Sequence, residues 1–445
     1  MVFPICYDTK IARAMRLLDF CNRAIEYLFY ALFFLVPIVF LGSTSELFEL
    51  NKIWLTYAIS ILIALFWGIK IITTKTFQIR RTPLDIPILL FLGANILSTI
   101  FSWDPYVSFW GYYSRFNGGL LSIITYVFLY YAFVSNFEAN LKTVVKNLLG
   151  VSLLSGLFVS LWGLPSHFGY DPTCLLFRGS FDVSCWTADF QPKVRIFSTI
   201  GQPAWLSAYL AILVPISLSY AISKRNALIE LLEKINIKRA EIFSFILFSA
   251  LSALFFVDIL YTGSRSGILA MLLSLLFLLL GLFILQRESL KEFVSNNKKL
   301  FAIFLVFAVI GFVLKVPFPY LEKISLENLK QISSRQTQIV KPEEKQAEEP
   351  HAVALGGTDS GKIRQIVWKG AIDMWRANPI LGTGVETFAF SYYKYRPEEH
   401  NRTSEWNFLY NKAHNEYLNY LATTGALGFL SYLSIIAVFV LLTKK

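Results

Sequence analysis

Charge is scarce in this sequence. Asp, Glu, Lys and Arg make up 16% of its 445 residues, whereas soluble globular chains carry about 25%. Cysteine, histidine and methionine occur four times each. Their spacing includes no HxxxH, HExxH or CxxC, so the common zinc signatures are missing. No GxSxG elbow is present, and no DxD carboxylate pair of the kind many nucleotide-sugar transferases use to hold a metal. A Gly-rich phosphate loop, an internal repeat and a heptad run are also lacking. What fills the chain instead is apolar: 55% of residues are hydrophobic, Phe alone occurs 40 times, and the mean hydropathy is +0.53. This composition excludes a disordered chain, a nucleic-acid-binding protein and an ordinary cytosolic enzyme, and implies an all-α polytopic membrane protein. The net charge of +11 does not argue for nucleic acid, because the charges sit in short segments between apolar runs, the pattern of membrane topology.

Ten apolar segments are long enough to cross, at approximately 24–42, 53–73, 85–101, 118–136, 144–164, 202–222, 241–262, 266–286, 300–318 and 423–442. Alternate connecting segments are basic. They hold Lys10, Arg13, Arg16 and Arg23, then Lys75, Arg80 and Arg81, then Lys142 and Lys146, then Lys224, Arg225, Lys234, Lys238 and Arg239, then Arg287, Lys291, Lys298 and Lys299, and finally Lys444 and Lys445. The intervening segments are poor in Lys and Arg, with Lys52 in 43–52 and Arg115 in 102–117. The positive-inside rule therefore predicts that both termini are cytoplasmic. The first span, long and preceded by basic residues, reads as an anchor rather than a cleaved signal. The expected organisation is a nine-span bundle over 1–318, an extracytoplasmic region over 319–422, and a last span with a cytoplasmic tail over 423–445. Within the large outer region, 340–362 is polar, low in complexity and expected to be mobile.

Cys6 and Cys21 fall on the cytoplasmic side, whereas Cys174 and Cys185 share an outer loop. An oxidising exterior permits a bridge between the last two; two free thiols fit the spacing equally well. Lys70, Asp258 and Lys315 lie near span ends, where snorkelling accounts for them. The scarcity of ionisable groups near the midplane counts against a proton-coupled transporter.

The residues of chemical interest gather at the outer face. They are Arg115 in SRFNGG, Arg195 in VRIFSTIGQP, Arg265 in the tight turn YTGSRSG, Arg364 in RQIVWKGAIDMW, and His414 in NKAHNEYLNYL with Asn415 and Glu416 after it. Ile366, Trp368, Ile372 and Trp375 are available to a buried face of the stretch that Arg364 opens. An interfacial arginine also serves merely to mark topology or meet lipid head groups, but Arg265 stands where positive charge is disfavoured. His167, His351 and His400 lack a supporting constellation and read as solvated. With no metal signature, an enzyme acting here on a phosphate substrate would use Arg, whose planar fork binds phosphate bidentately.

Four pieces in order resemble the O-antigen ligase superfamily, which also holds O-antigen polymerases and bacterial protein O-oligosaccharyltransferases. They are RIFSTIGQPAWLSAYLA, YTGSRSGILA, RQIVWKGAIDMWRANPILGTGVETF and AHNEYLNYLATTGALGF. The resemblance covers roughly 190–440, and the N-terminal part agrees only in hydropathy and in the R-x-x-G of RFNGG. It implies a membrane enzyme that passes a glycan from an undecaprenyl-diphosphate carrier to an acceptor hydroxyl, without a nucleotide sugar, a metal or another cofactor. It also implies His414 as general base and Arg265 and Arg364 as the diphosphate grip, with Arg195 at a further motif position. Arg115, Asn415 and Glu416 remain candidate substrate contacts without an assigned duty. Family members often carry more spans, which leaves open a short member or part of a longer chain. The acceptor stays open among lipid A-core, a second lipid-linked repeat and a protein hydroxyl, which correspond to ligase, polymerase and oligosaccharyltransferase. A lipid-linked glycan transporter or flippase, and a non-catalytic envelope scaffold, are the competing classes.

Overall fold

A computed structural model describes residues 8–187, 190–223, 237–286, 289–314 and 360–443. Cys6, Lys224, Arg225, Lys234, Arg287, Lys315, His351, Lys444, Lys445 and residues 319–359 of the expected large loop lie outside the described residues.

The fold is all-α, with no strand among the described residues. Its helices are α1 (Asp8–Leu35), α2 (Glu49–Thr74), α3 (Asp85–Ile100), α4 (Pro105–Trp110), α5 (Leu120–Asn136), α6 (Leu141–His167), α7 (Pro172–Arg178), α8 (Pro203–Ile222), α9 (Ile237–Tyr261), α10 (Arg265–Gln286), α11 (Leu290–Asn296), α12 (Lys298–Val313), α13 (Ser360–Ala377), α14 (Phe388–Tyr395) and α15 (Glu416–Leu442). Local chemistry sets several ends. Asp104 and Asp171 each cap a short helix that begins with proline, accepting from Val107 N at 3.1 Å and Thr173 N at 2.7 Å.

Each of the ten expected apolar segments contains a helix among the described residues, and fewer than ten of these helices are both long and apolar enough to cross by themselves. Among the described residues six helices, α2, α6, α8, α9, α10 and α15, are long and apolar enough to cross. The pair α11–α12, bent by 79°, makes a seventh if taken as one span. α3 and α5 have 16 and 17 residues, about 24–26 Å of helix against a hydrocarbon core of about 30 Å. α1 carries Arg13, Arg16, Asp19 and Arg23 through its first half and stops at Leu35, not near 42, because Pro37 follows.

Two apolar cores meet along α6. One is built by α1, α2, α5 and α6 around Ile25, Phe29, Ile63 and Val144. The other is built by α6, α8, α9, α10 and α12 around Leu206, Leu210, Phe255, Ile259 and Met271. Small residues let these helices approach closely: a Cβ at Gly267 of α10 would collide with Ser207 of α8. α10 leaves Leu269, Leu273, Phe277 and Leu285 exposed, as a helix facing lipid does. Asp258 does not snorkel. It is fully buried in α9, beside Ser160 of α6. Lys70 is held by Asn136 Oδ1 at 3.1 Å.

α15 is broken at Gly425, whose φ of 66° is open only to a residue without Cβ penalty. Residues 379–384 insert at the break. Thr383 N and Gly384 N donate to Ala422 O and Thr423 O at 3.2 and 2.8 Å, while Ala426 N and Leu427 N donate to Pro379 O and Ile380 O at 2.9 and 3.2 Å. The irregular backbone is thus satisfied on both sides by protein. Trp103 N donates to Thr383 O, and Ser98 Oγ to Thr423 O, which ties α3 to the same joint.

Candidate active site

One end of the bundle collects the loops that carry the unusual polar residues. Lys52 stitches it, its ammonium donating to Val39 O at 2.6 Å and Thr199 O at 2.8 Å. Over it lies the loop that contains α7, where Cys174 and Cys185 are joined in a disulfide with Cα atoms 5.5 Å apart. Trp186 pins that loop by donating to Asp171 at 2.5 Å and stacking on Phe48. Cys21 is a buried free thiol in α1.

The turn between α9 and α10 is tight. Thr262 N closes it onto Asp258 O at 2.9 Å, and Ser264 Oγ accepts from Gly267 N at 3.2 Å at the start of α10. Arg195 Nε donates to Thr262 O at 2.8 Å, and Ile196 N to Tyr261 O at 3.2 Å. Arg195 is therefore held against the turn that presents Arg265, whose side chain is exposed. His167 belongs to this layer and is not free in solvent: its ring stacks on Tyr261, centroids 3.8 Å apart.

α13 buries Ile363, Ile366, Val367, Ala371 and Met374, a stripe at helical spacing, against Phe388, Tyr392, Tyr410 and Ala413. Of the four residues expected on this face, Ile366 is buried, whereas Trp368, Ile372 and Trp375 are only partly covered. Arg364 projects from the open side. Its charge is felt at Arg195, where burial first and Arg364 second push the guanidinium below its ordinary value. Among the described residues no carboxylate forms an ion pair with Arg195, Arg265 or Arg364. Two cations brought near each other without a counter-charge cost energy that a bound anion would recover.

His414 lies next to this cationic arm in a constrained backbone. Its φ is +52°. Trp368 Nε1 donates to Ala413 O at 3.0 Å, Ala413 N donates to Asn419 Oδ1 at 3.3 Å, and Asn415 caps α15 by accepting from Tyr417 N and Leu418 N. Tyr410 approaches the imidazole edge to face at 5.6 Å and donates its hydroxyl to Glu405. Desolvation, then the positive charge of Arg364, push the imidazole below its ordinary value, with Glu405 opposing. The ring is thus neutral at pH 7, the form that accepts a proton. His400 is fully buried rather than solvated, its Nδ1 paired with Tyr392 Oη at 2.8 Å.

Arg115 does not join this arm. It pairs with Glu49 at 2.9 Å and covers the Trp205 ring at 5.6 Å. With Glu416 it lines a polar chamber of about 310 Å³ that also holds Glu386 and Lys412. Glu386, at φ +57°, pairs with Lys412 at 3.4 Å. Burial raises the Glu386 carboxyl, with Lys412 opposing. Burial pulls Lys412 down, but Glu386 and Glu416 outweigh it and hold the ammonium above its ordinary value. Lys412 is two residues from His414 and adds to the field that lowers it. The structure therefore brings Arg195, Arg364 and His414 together, sets Arg265 on the adjoining turn, and places Arg115 and Glu416 in the chamber beside them.

Glu49, Glu386, Lys412 and Tyr410 are absent from the sequence reading. Glu386 and Lys412 stand inside the GTGVETF and NKAHNEY motifs, and that position was their available signal. Glu49 and Tyr410 offered none, because only the folded chain brings them to the site.

Residues 250–433 match the family described as O-antigen ligase. The matched stretch contains Arg265, Arg364, Glu386, Lys412 and His414, while Arg115 and Arg195 precede it. No curated protein matches the chain. The match supports the O-antigen ligase superfamily, and with the helical bundle it supports an O-antigen ligase-like membrane glycosyltransferase at the level of the family.

Proposed function

We propose that this protein transfers a glycan from an undecaprenyl-diphosphate carrier to an acceptor hydroxyl at the outer face of the cytoplasmic membrane, with both termini inside. The observation that carries this reading is the convergence of Arg195 and Arg364, unpaired by any described carboxylate, beside a neutral His414. The arginines, with Arg265 on the neighbouring turn, hold the diphosphate through charge-assisted hydrogen bonds. The acceptor O–H gives its proton to His414, and its oxygen forms the new bond to the anomeric carbon. The bond from that carbon to the diphosphate oxygen breaks, and its electron pair leaves on the lipid diphosphate. The arginines offset the charge that grows there, and direct displacement inverts the anomeric centre. The reading requires no nucleotide sugar and no metal.

The test is a transfer assay with the purified chain in nanodiscs, extracted undecaprenyl-diphosphate glycan and the three acceptor types, with and without EDTA. Transfer by the native chain, unchanged in EDTA and lost in His414→Ala, is the expected result. Full transfer by His414→Ala rejects the base, and activity that EDTA removes and a divalent ion restores rejects the arginine-only chemistry. A well-folded native chain that transfers to none of the acceptors favours the transporter or scaffold.

A further inference from the structure

Below the polar chamber a second cavity of about 310 Å³ runs down between α3, α5 and α15. The two share Glu386, Lys412 and Glu416, so they adjoin at those side chains and offer two chemistries side by side. The upper part offers the carboxylates, the Asn117 and Asn411 amides and the Trp205 ring, the hydrogen-bonding and stacking groups that suit a sugar. The lower part is walled by Phe91, Ile123, Val127 and Ile435. Tyr126, Tyr420, Asn419 and Thr423 add polar groups to this wall, and Asn95 differs from them: it is fully buried, its amide nitrogen donates to Phe91 O at 2.7 Å, and its Oδ1 has no hydrogen-bond partner. A buried acceptor without a donor is costly unless something fills it.

Charge separates this site from the arginine arm. Its rim sets Arg115 against Glu49 at 2.9 Å and Lys412 against Glu386 at 3.4 Å, so each of its two cations already has a counter-charge. A phosphate placed here finds neither rim cation free of a carboxylate partner, whereas a hydroxylated head without charge finds donors and acceptors in plenty. Resting on the glycosyl-transfer reading above, we propose that this site receives the acceptor as a neutral glycolipid. Its sugar occupies the chamber beside His414, and its apolar chain lies in the groove between α3, α5 and α15. A hydroxyl of the chain-proximal sugar or linker donates to Asn95. The acceptor thus comes from the membrane, and its recognised portion carries no phosphate.

The experiment uses the full chain in nanodiscs with two photoprobes that share one diazirine-bearing alkyl chain, one with a maltose head and one with a phosphate head. The maltoside is expected to label peptides of α3, α5 and the first half of α15. Val127→Trp, which fills the groove, is expected to reduce that labelling at least about tenfold while leaving retention of undecaprenyl-diphosphate glycan unchanged. Glu416→Arg, on an exposed position that should not disturb folding, is expected to shift the preference towards the alkyl phosphate. The proposal falls if the alkyl phosphate labels the native groove as well as the maltoside does. It also falls if labelling survives Val127→Trp, or if undecaprenyl-diphosphate glycan displaces the maltoside, which would make the groove the donor's. In each case glycan retention that still depends on Arg364 keeps the transferase reading alive; if that dependence too is absent, the transferase reading fails separately.

Discussion

His414 occupies a left-handed backbone conformation that non-glycine residues adopt only where their surroundings hold them there. Arg364 near the ring disfavours the imidazolium, so the neutral base persists to lower pH than an isolated histidine would allow. We expect the acid limb of the rate profile to report this. Removing the guanidinium in Arg364→Gln takes away a positive charge, the imidazolium becomes easier to form, and the limb moves to higher pH as the rate falls. A limb that stays in place in transfer assays across pH would show that the two residues are not coupled. Arg364→Lys keeps the charge but loses the fork, so it should leave the limb nearly unmoved yet weaken donor affinity. Single residues of this kind were legible in the sequence because chemistry selects few types: an arginine on the disfavoured side of a membrane is conspicuous. Asn415 was seen without a duty, since a cap is recognised only once the helix start is known, and His400 was misread because the polar segment around it gives no periodic sign that it folds back between Tyr392 and Tyr410.

α13 and α15 act as the clamp on that histidine. Trp368 reaches across from α13 to the carbonyl just before it, a bond of about 1 kcal/mol. Trp368→Phe keeps the packing and deletes the donor. If the bond positions the base, kcat should fall roughly fivefold with the donor KM unchanged; an equal change in both, or none, would leave Trp368 a packing residue. Gly425 is the other hinge of the clamp. A Cβ there would strike the backbone of Ile380 and Leu381, and positive φ adds about 1–2 kcal/mol for an L side chain. Gly425→Ala should therefore lower the Tm of the purified protein and abolish transfer, whereas Gly281→Ala, with no atoms near its missing Cβ, should do neither. α15 was legible from hydropathy, and α13 from the spacing of its apolar residues. The break in α15 was not, because its partner segment, 379–384, is forty residues away and reads as an ordinary Gly-containing loop.

For the whole molecule, apolar run length located the long apolar helices but not α4, α7, α11, α13 and α14, which lie outside the ten apolar segments, and among the described residues α3 and α5, at 16 and 17 residues, are shorter than the six helices long and apolar enough to cross. What organises the molecule is a polarity between two ends. One gathers Arg80, Arg81, Lys142 and Lys146, where Arg80 pairs with Glu138 at 3.6 Å. The other carries the disulfide, the arginine arm and His414. On the orientation proposed above the first end is cytoplasmic, and Cys174 and Cys185 then fall in the oxidising compartment where a bridge persists. The bridge closes a loop with a sequence separation of 11, worth about 3 kcal/mol in the chain-entropy picture, and Trp186 holds that loop to Phe48 and Phe197. We expect a membrane-impermeant maleimide applied to intact cells to label Cys174 and Cys185 only after mild reduction, and never Cys21, and the Cys174→Ser/Cys185→Ser protein to melt at lower temperature. Labelling of both cysteines without reductant would mean that no bridge forms in the membrane. No labelling even after reduction, with labelling restored when the cells are opened, would invert the chain and put His414 on the side where the lipid-linked glycan is made rather than where it is spent.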